Sequence, residues 1–209
     1  MSNSFKVIIP VLNGGEVWKS CVASLLQQAL PVEDVIVIDS GSDDGSLELS
    51  VSTGFKLIQI SKNEFNHGGT RQLGVEKAGD IDVVIFLTQD AILEKENSIV
   101  ELLKSFDNEA VAAAYGRQLP HVDAGKIASH ARYYNYSDKS LFKGKEDIEK
   151  LGIKTAFISN SFAAYRVSVL NQMGGFPSNT IFGEDTFTAA KMILNGYHQY
   201  RSFHFQYYL

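Results

Sequence analysis

Runs of consecutive apolar residues divide the first half of the chain into short segments separated by polar loops. The clearest run is Val83–Leu87, five β-favouring residues with Asp90 shortly after them. An apolar run without alternation is typical of a strand that is covered on both faces, as in the interior of a parallel sheet. The same kind of pattern predicts strands at Phe5–Val11, at residues 35–38 and at residues 55–60.

Apolar residues between these runs recur at intervals of three and four, which is the period of a helix with one buried face. Strands and helices therefore alternate, and this order is typical of an α/β domain with a mostly parallel sheet. The predicted helices cover residues 17–26, a segment capped by Ser42, a short segment ending near Gly79, residues 99–106 and residues 187–194, and a further strand covers residues 110–115.

The regular alternation fails in the second half of the chain. Residues 121–152 combine a helical aromatic segment, 127–136, with a polar charged stretch around residues 143–147. Such a change in composition predicts a substrate-facing insertion or a flexible arm. Strand character returns at residues 155–166 and at residues 200–209.

Composition limits the class of protein. The chain has 209 residues, 44% of them hydrophobic, which suffices for one α/β domain with a substantial core. The net charge of -5 argues against nucleic-acid binding. The one cysteine, Cys21, lies in an apolar helical stripe, so we expect a core residue and a reducing compartment. No signal peptide and no apolar stretch of the ~20 residues needed for a membrane span is visible, which predicts a cytoplasmic location.

Two predicted strands end at a carboxylate, namely Asp39 after the second strand and Asp90 after the central one. Open parallel sheets bind their ligands just beyond the carboxyl ends of their strands. Asp90 therefore has two interpretations: it holds a divalent metal there, or it caps a helix that follows. Asp43 and Asp44 fit the first turn of the next helix, whereas this explanation does not extend to Asp39.

A loop between the third strand and the next helix also carries candidate chemistry. Gly68 and Gly69 lie between His67 and Arg71, and adjacent glycines allow the backbone to approach a ligand closely. Arg71 at a helix start would suit a phosphate. His67 is either a loop histidine with a backbone partner or a direct contact to a sugar or phosphate.

Six short motifs occur in an order that is more specific than any one of them. They are VIIPVLN (7–13), VIVIDSGSDDGS (35–46), FNHGGTRQ (65–72), FLTQDA (86–91), GGF (174–176) and FGEDT (182–186). Together they resemble the family 2 glycosyltransferases of the GT-A fold, over nearly the whole chain. The family usually has two aspartates around one residue at its centre, and here Thr88 replaces the first of them. That departure is similar to the bacterial rhamnosyltransferase-like branch.

The resemblance implies a nucleotide-diphospho-sugar transferase fold with a Rossmann-like N-terminal half. It implies one catalytic domain over residues 1–209, in which residues 1–117 bind the nucleotide sugar and residues 118–209 face the acceptor. Since family members usually continue further, we expect the chain to be shortened at its C-terminus. The implied location is cytoplasmic, with peripheral association at the inner face of the cell membrane.

The implied activity is that of an inverting hexosyltransferase in bacterial surface polysaccharide synthesis. It moves a sugar, L-rhamnose from dTDP-rhamnose in this branch, from a nucleoside diphosphate to the hydroxyl of a saccharide or lipid-linked saccharide acceptor. Asp185 would be the general base that takes the acceptor's proton, although it could also merely satisfy the N-terminus of its helix. Asp90 would hold Mg²⁺ or Mn²⁺ against both phosphates as a Lewis acid.

The resemblance also assigns the remaining site residues. Asp39 would accept a hydrogen bond from the N3 proton of a pyrimidine, and Arg71 would face the base or the diphosphate. His204 would be a further metal ligand, with His198 as the competing candidate. Contacts to the nucleotide sugar are implied for Pro10, Val11, Asn13, Asp39, His67, Arg71, Gln89 and Asp90.

Two other functions stay open on the sequence. A sugar-1-phosphate nucleotidylyltransferase shares the nucleotide site, but it would carry a Gly-rich signature with a cation directly after the first strand. This chain has only Asn13-Gly14-Gly15 there. A non-catalytic module that binds a carbohydrate or nucleotide is the second alternative, because fold does not fix function.

Overall fold

Nine strands form one sheet through the described chain, which in this computed structural model comprises residues 3–121 and 124–209. The strands are β1 (Phe5–Val11), β2 (Val35–Asp39), β3 (Lys56–Gln59), β4 (Val83–Leu87), β5 (Ile92–Leu93), β6 (Val111–Leu119), β7 (Leu141–Lys143), β8 (Phe162–Arg166) and β9 (His198–Tyr208). The α-helices are α1 (Gly15–Leu26), α2 (Ser46–Thr53), α3 (His67–Ala78), α4 (Ser98–Leu103), α5 (Lys126–Asn135), α6 (Ile148–Leu151), α7 (Val167–Gln172) and α8 (Glu184–Leu194). Short 3-10 helices lie at Val32–Asp34, Lys104–Asp107, Lys145–Asp147 and Gly152–Ala156.

The strand order is β3-β2-β1-β4-β8-β6-β9-β5, and β7 pairs with β9 off this path. Strands β3, β2, β1 and β4 are parallel neighbours, and β6 and β9 run in the same direction, whereas β8, β5 and β7 run against them. The prediction of an α/β fold with a mostly parallel sheet is confirmed. Every residue of β2 and β4 is buried, because the sheet is covered on both faces, and this explains their unbroken apolar sequences.

Two apolar cores lie on the two faces of the sheet. On one face α1 contributes Trp18, Cys21 and Leu25, all at most 2% exposed. Burial raises the pKa of the Cys21 thiol far above its ordinary value, so this thiol stays protonated, and its prediction as a core residue is confirmed. On the other face the rings of Phe86 and Phe176 meet edge to face, with centroids 5.3 Å apart.

The described residues of the segment 121–152 form regular elements, and whether the segment faces the substrate stays a prediction. It contains α5, β7 and α6, and its residues Val122 and Asp123 lie outside the described chain. Lys143, which the sequence placed in a polar stretch, is 2% exposed, because its ammonium donates to the carbonyls of Lys154 and Phe157 rather than to water. The charged composition misled the prediction, since a buried lysine looks the same in sequence as a solvated one.

Two further predicted elements are corrected. The strand expected over residues 155–166 is shorter, because a 3-10 helix ends at Ala156 and β8 begins only at Phe162. Asp90 is followed by β5, and the next helix, α4, has Asn97 as its N-cap, so Asp90 does not cap a helix. Within the described residues, every helix is too short or too polar to span a bilayer.

The predicted division into two halves does not interrupt the sheet. β6 crosses the predicted boundary at residue 117, and β8, from the second half, lies between β4 and β6. The assignment of donor and acceptor roles to the two halves stays a prediction.

Candidate active site

A cavity of about 370 Å³ opens at the carboxyl ends of β1 and β4. The chain runs outward from β1 to β2 and β3 on one side and returns to β4 on the other, and such a reversal of strand order is the preferred ligand site of open α/β sheets. Six of the predicted site residues line the cavity, namely Pro10, Val11, His67, Arg71, Gln89 and Asp90. Ser40, Phe65 and Thr88 also line it and had not been predicted.

Asp90 lines the cavity, and its carboxylate is available to bind a ligand. Its side chain is half-buried. Within residues 3–121 and 124–209, neither a hydrogen bond nor an ion pair is made to it. A partly desolvated carboxylate without an internal partner is suited to a metal ion or to a ligand donor.

Gln89 fixes the first loop beside Asp90. Its side-chain Oε1 accepts a hydrogen bond from the Leu12 amide at 2.8 Å, and its Nε2 donates to the Leu12 carbonyl at 3.2 Å. The amide group thereby continues the pairing of β1 with β4 beyond the ends of both strands. Gln89 lines the cavity, but both functional atoms of its side chain are engaged with the backbone.

Asp39 and Asn13 are not among the residues that line the cavity, although their sequence neighbours Ser40 and Leu12 are, and they tie two loops together. The Asp39 Oδ2 accepts hydrogen bonds from the amides of Gly41 and Ser42, at 2.9 and 3.1 Å. The Asp39 Oδ1 is buried and has no partner among the described residues. Asn13, in the left-handed region at φ 48°, accepts a hydrogen bond from the Asp43 amide at 2.9 Å. The free Oδ1 makes Asp39 an acceptor that still requires a donor.

Of the two glycines in the loop before α3, Gly68 is required by chain packing, whereas a side chain at Gly69 would make only ordinary contacts. A Cβ atom at Gly68 would lie 1.8 Å from the Pro177 carbonyl oxygen, and one at Gly69 would lie 3.5 Å from the Ser178 Cβ. Helix α3 therefore packs directly on the loop before α8. Asn66 caps α3 by accepting a hydrogen bond from the Gly69 amide at 2.9 Å.

Arg71 joins this helix to α8. Its Nη1 donates to Glu184 Oε1 at 2.9 Å and to the His67 carbonyl at 3.0 Å, and both ion-pair side chains are 7% exposed. Arg71 lines the cavity, but its charge is balanced by Glu184. The first turn of α8 is thus held at the cavity from the side of α3.

Asn160, which the sequence did not single out, connects the carboxylates of α8 to the end of β4. Its backbone amide donates to Asp185 Oδ2 at 3.3 Å, and its Nδ2 donates to Glu184 Oε1 at 3.4 Å. The buried Tyr165 hydroxyl donates to Asn160 Oδ1 at 2.7 Å, which fixes the orientation of the amide. The next residue, Ser161, accepts a weak hydrogen bond from the Thr88 amide at 3.4 Å. Asp185 is therefore anchored one strand away from the strand that leads to Asp90.

Asp185 lies partly buried in the first turn of α8, and its role as a base stays a prediction. Helix α8 has Gly183 as its N-cap, and the Asp185 Oδ1 accepts only from the adjacent Thr186 amide at 2.6 Å. Burial, together with the nearby charge of Glu184, raises the pKa of Asp185 above its ordinary value. Asp185 is not among the residues that line the cavity. Its raised pKa alone makes it a candidate proton acceptor.

The two candidate histidines are not brought to Asp90. His198 lies opposite Val111, where β6 and β9 begin, and the cavity is at the other end of the parallel strands. The His198 Nε2 contacts Glu146 Oε1 at 3.1 Å. His204 is exposed, in an irregular stretch of β9, and lines another cavity with Glu101 and Lys104. Strand β9 pairs with β5 just after Asp90, but Ile92 lies opposite Tyr208 and the Glu94 amide donates to the Gln206 carbonyl, so His204 lies further along β9, away from Asp90. Among the described residues, no group of three His, Cys, Asp or Glu side chains forms a ready metal site.

Comparison with known sequences identifies similar proteins. A family model described as Glycosyl transferase family 2 matches residues 6–174. The chain is 52% identical over 192 residues to the O-antigen chain rhamnosyltransferase RfbN of Salmonella typhimurium, and 48% identical over 195 residues to the O-antigen chain rhamnosyltransferase WbaN of Salmonella anatum. These alignments cover 91% and 93% of this chain but only 61% and 62% of the two relatives, so the chain spans about three fifths of their length.

Solved structures support the fold. S. aureus TarS 1-349 in complex with UDP-GlcNAc matches 99% of this chain and 58% of its own, with a TM-score of 0.75 at 18% identity. The mannosyltransferase PcManGT from Pyrobaculum calidifontis, in complex with GDP-Man and Mn²⁺, matches 100% of this chain and 57% of its own, with a TM-score of 0.71 at 17% identity. At these identities the matches establish the GT-A fold and leave the ligands to the proteins in which they were seen.

Proposed function

The chain belongs to glycosyl transferase family 2, and from that membership we propose that it transfers a sugar from a nucleoside diphosphate to an acceptor hydroxyl with inversion at the anomeric carbon. The observation that carries this proposal is the cavity at the ends of β1 and β4, with an unpartnered Asp90 inside it and Asp185 held nearby through Asn160. Family membership disfavours the nucleotidylyltransferase alternative. The non-catalytic module is separated from an enzyme by turnover.

We propose that the donor is dTDP-rhamnose and that the acceptor is a saccharide chain of a bacterial surface polysaccharide, free or lipid-linked. The support is the identity of about one half to two proteins named O-antigen chain rhamnosyltransferases. Peripheral contact with the inner face of the cell membrane belongs to the same proposal, because it would bring the enzyme to a lipid-linked acceptor.

The residues around Asp90 fit a divalent metal in part. Asp90 supplies one hard oxygen ligand without a competing internal partner, and the phosphates of a donor would supply others, as is usual for Mg²⁺ and Mn²⁺. When bound, such an ion stabilises the negative charge of the departing diphosphate. The protein's own oxygen ligand in this proposal is the Asp90 carboxylate. Gln89 keeps the loop after β1 in place beside it.

The acceptor side of the reaction rests on Asp185. Its carboxylate takes the proton from the attacking hydroxyl while the oxygen forms the new bond to the anomeric carbon, and the bond to the diphosphate breaks. Asn160 positions this carboxylate through its backbone amide, and Tyr165 holds Asn160 in turn. The raised pKa makes Asp185 a stronger base than an ordinary aspartate.

The proposed function is tested with a panel of sugar nucleotides, with and without Mn²⁺, in a thermal-shift assay followed by a transfer assay. A donor present at 100 times its dissociation constant stabilises the protein by roughly 2.7 kcal/mol, which is readily resolved. We expect dTDP-rhamnose to give the largest shift and slow hydrolysis. If a form of the protein that also binds the acceptor binds the donor but shows no turnover, the result would support the non-catalytic module instead.

Replacing Asp90 by Asn should weaken Mn²⁺-dependent binding of nucleoside diphosphate while the fold stays intact. The reason is that Asp90 makes no hydrogen bond or ion pair with the described residues that the fold would lose. Calorimetric titration with and without Mn²⁺ measures the change, and Asp80→Asn, at an exposed carboxylate outside the cavity, is the matched control. An unchanged metal-dependent affinity would remove Asp90 from the metal site.

Replacing Asp39 by Asn should lower the affinity for dTDP and the affinity for the intact donor by similar factors. The unpartnered Asp39 Oδ1 is the proposed acceptor for the pyrimidine N3 proton, and a hydrogen bond to a charged group contributes about 1.5–3 kcal/mol, or roughly 10- to 150-fold in affinity. The asparagine oxygen can keep the hydrogen bonds from Gly41 and Ser42, so the loop is preserved. A loss confined to the sugar nucleotide would contradict the base-reading role.

A further inference from the structure

A second cavity, of about 260 Å³, lies on β6, β9 and β7, away from Asp90. Its lining includes two buried cations, Lys143 at 2% and Arg201 at 5% exposure, and an exposed Lys154. Tyr115, Tyr134 and Phe157 supply aromatic walls. No aspartate or glutamate is among the lining residues, so the surroundings are positively charged.

The strand register places the two buried cations side by side. Arg201 lies opposite Leu141 and Lys143 lies opposite Gln199 in the antiparallel β7–β9 pair, so the two cations are diagonal neighbours on one face. Tyr115 lies opposite Arg201 on the other side of β9, and the Lys143 Nζ is 5.5 Å from the centre of the Tyr115 ring. The three side chains thus form a row across neighbouring strands.

Both cations donate to neutral acceptors only. The Lys143 Nζ donates to the carbonyls of Lys154 and Phe157 at 2.9 and 3.0 Å and, more weakly, to the Tyr115 hydroxyl at 3.4 Å. The Arg201 Nη2 donates to the Ser137 hydroxyl at 2.7 Å and to the Lys139 carbonyl at 2.9 Å, and its Nη1 donates to the Asn135 carbonyl at 3.3 Å, while its Nε is buried without a partner among the described residues. In residues 3–121 and 124–209, neither cation has a carboxylate within ion-pair distance.

Buried charges in proteins are normally paired with an opposite charge. We propose that this second cavity binds a phosphoryl group, with Lys143 and Arg201 as its buried cations and Lys154 at its entrance. Two fixed cations and a third at the rim match a doubly charged phosphate or a diphosphate better than a singly charged carboxylate. The phosphoryl group comes either from a soluble phosphate compound or from a lipid headgroup, and the two sources share this chemistry.

The electrostatics of Lys143 give the binding a pH dependence. Burial, with the charge of Arg201 adding to it and that of Asp147 opposing it, lowers the pKa of Lys143 to about 7. Tyr115, Tyr134 and Lys154 are the other titratable groups around the cavity, and burial raises the pKa of Tyr115 so that it stays neutral. Lys143 is charged below its pKa, so the affinity for an anion should fall as the pH rises through that value.

The test is calorimetric titration of the metal-free chain with pyrophosphate, in the presence of saturating nucleoside diphosphate, at a pH below and a pH above the pKa of Lys143. We expect binding that is stronger at the lower pH. Lys143→Met and Lys154→Glu should each weaken it by roughly tenfold or more, as for a lost charged hydrogen bond, while Lys150→Ala, at an exposed lysine outside the cavity, should not. In a second arm, vesicles of phosphatidylcholine with and without phosphatidic acid identify a lipid headgroup as the source.

Several results would overturn the proposal. They are the absence of binding to both pyrophosphate and phosphatidic acid, or an affinity that is unchanged in folded Lys143→Met. If Lys143→Met does not fold, Lys154→Glu decides alone, because Lys154 is exposed and its replacement leaves the core intact. The titration needs no catalytic turnover, so its outcome is independent of the proposed transferase activity.

Discussion

Asp185→Asn should lose turnover by about 10² to 10⁴ in an acceptor-competent form of the protein, because a positioned general base contributes a factor of that order. The affinity for the donor should hardly change, since the Asp185 carboxylate is held by the Asn160 amide and is not among the residues that line the cavity. Single-turnover rates and donor titrations measure the two effects separately. Asp107→Asn, the same change at an exposed carboxylate, is the matched control.

The pH dependence and the stability of this variant separate a base from a helix cap. A base works only when deprotonated, so wild-type turnover should fall as the pH drops through the raised pKa of Asp185, earlier than for an ordinary aspartate. A pKa raised by folding means that the ionised group destabilises the native state above that pKa, and that this penalty disappears as the pH falls. Asp185→Asn should therefore keep its stability at neutral pH. A capping role predicts instead a loss of roughly 0.5–2 kcal/mol on Asp185→Ala, with turnover of the folded protein retained.

The largest expected change in stability comes from breaking the buried pair of Arg71 and Glu184. Removing either partner alone should lower the free energy of unfolding by about 3–5 kcal/mol, because the remaining charge stays buried without compensation. Arg71→Met combined with Glu184→Met should recover most of this loss, since no unpaired charge remains. Urea unfolding of the two single variants and the double variant gives the coupling energy.

An exposed ion pair in the same chain provides the control for that cycle. Lys104 and Glu101 are 2.7 Å apart, with side chains 60% and 29% exposed, and such a pair contributes only about 0–1 kcal/mol. Lys104→Met should therefore be nearly neutral. A loss below about 1 kcal/mol on removing Glu184 would mean that water reaches the buried pair and that it does not hold α3 to α8.

The positions of Asp39 and Asp90 at strand ends could be predicted from sequence, because the apolar runs before them indicate buried strands. An unbroken run such as Val83–Leu87 indicates a central strand, and a carboxylate after it must lie at the ligand edge of the sheet. The same reasoning could not find Asn160. Asn160 is notable for its hydrogen bond to Asp185. That contact depends on how α8 packs on the sheet, and no local sequence pattern indicates it.

Other errors have the same physical origin. Gly68 looked suited to a ligand, but the group that comes close is the Pro177 carbonyl, which lies more than a hundred residues further along the chain. Lys143 looked solvated, because sequence records the charge of a side chain but not the distant carbonyls that accept its hydrogen bonds. One signal was present: Ser159, Asn160 and Ser161 interrupt an otherwise apolar stretch, and polar residues just before a buried strand deserve inspection as site residues.

Because β8 lies between β4 and β6, β4 has to wait during synthesis for the strand that pairs with its second edge. β4 emerges with β1 already available on one side, but the strand that covers its other side follows about 75 residues later. At 5–20 residues per second this delay is about 4 to 15 s, during which a wholly apolar strand has an open edge. A fragment that ends near residue 117 would keep that edge permanently and should aggregate. A C-terminal segment consequently cannot be exchanged between relatives as a separate unit unless the incoming segment brings a strand that fits between β4 and β6.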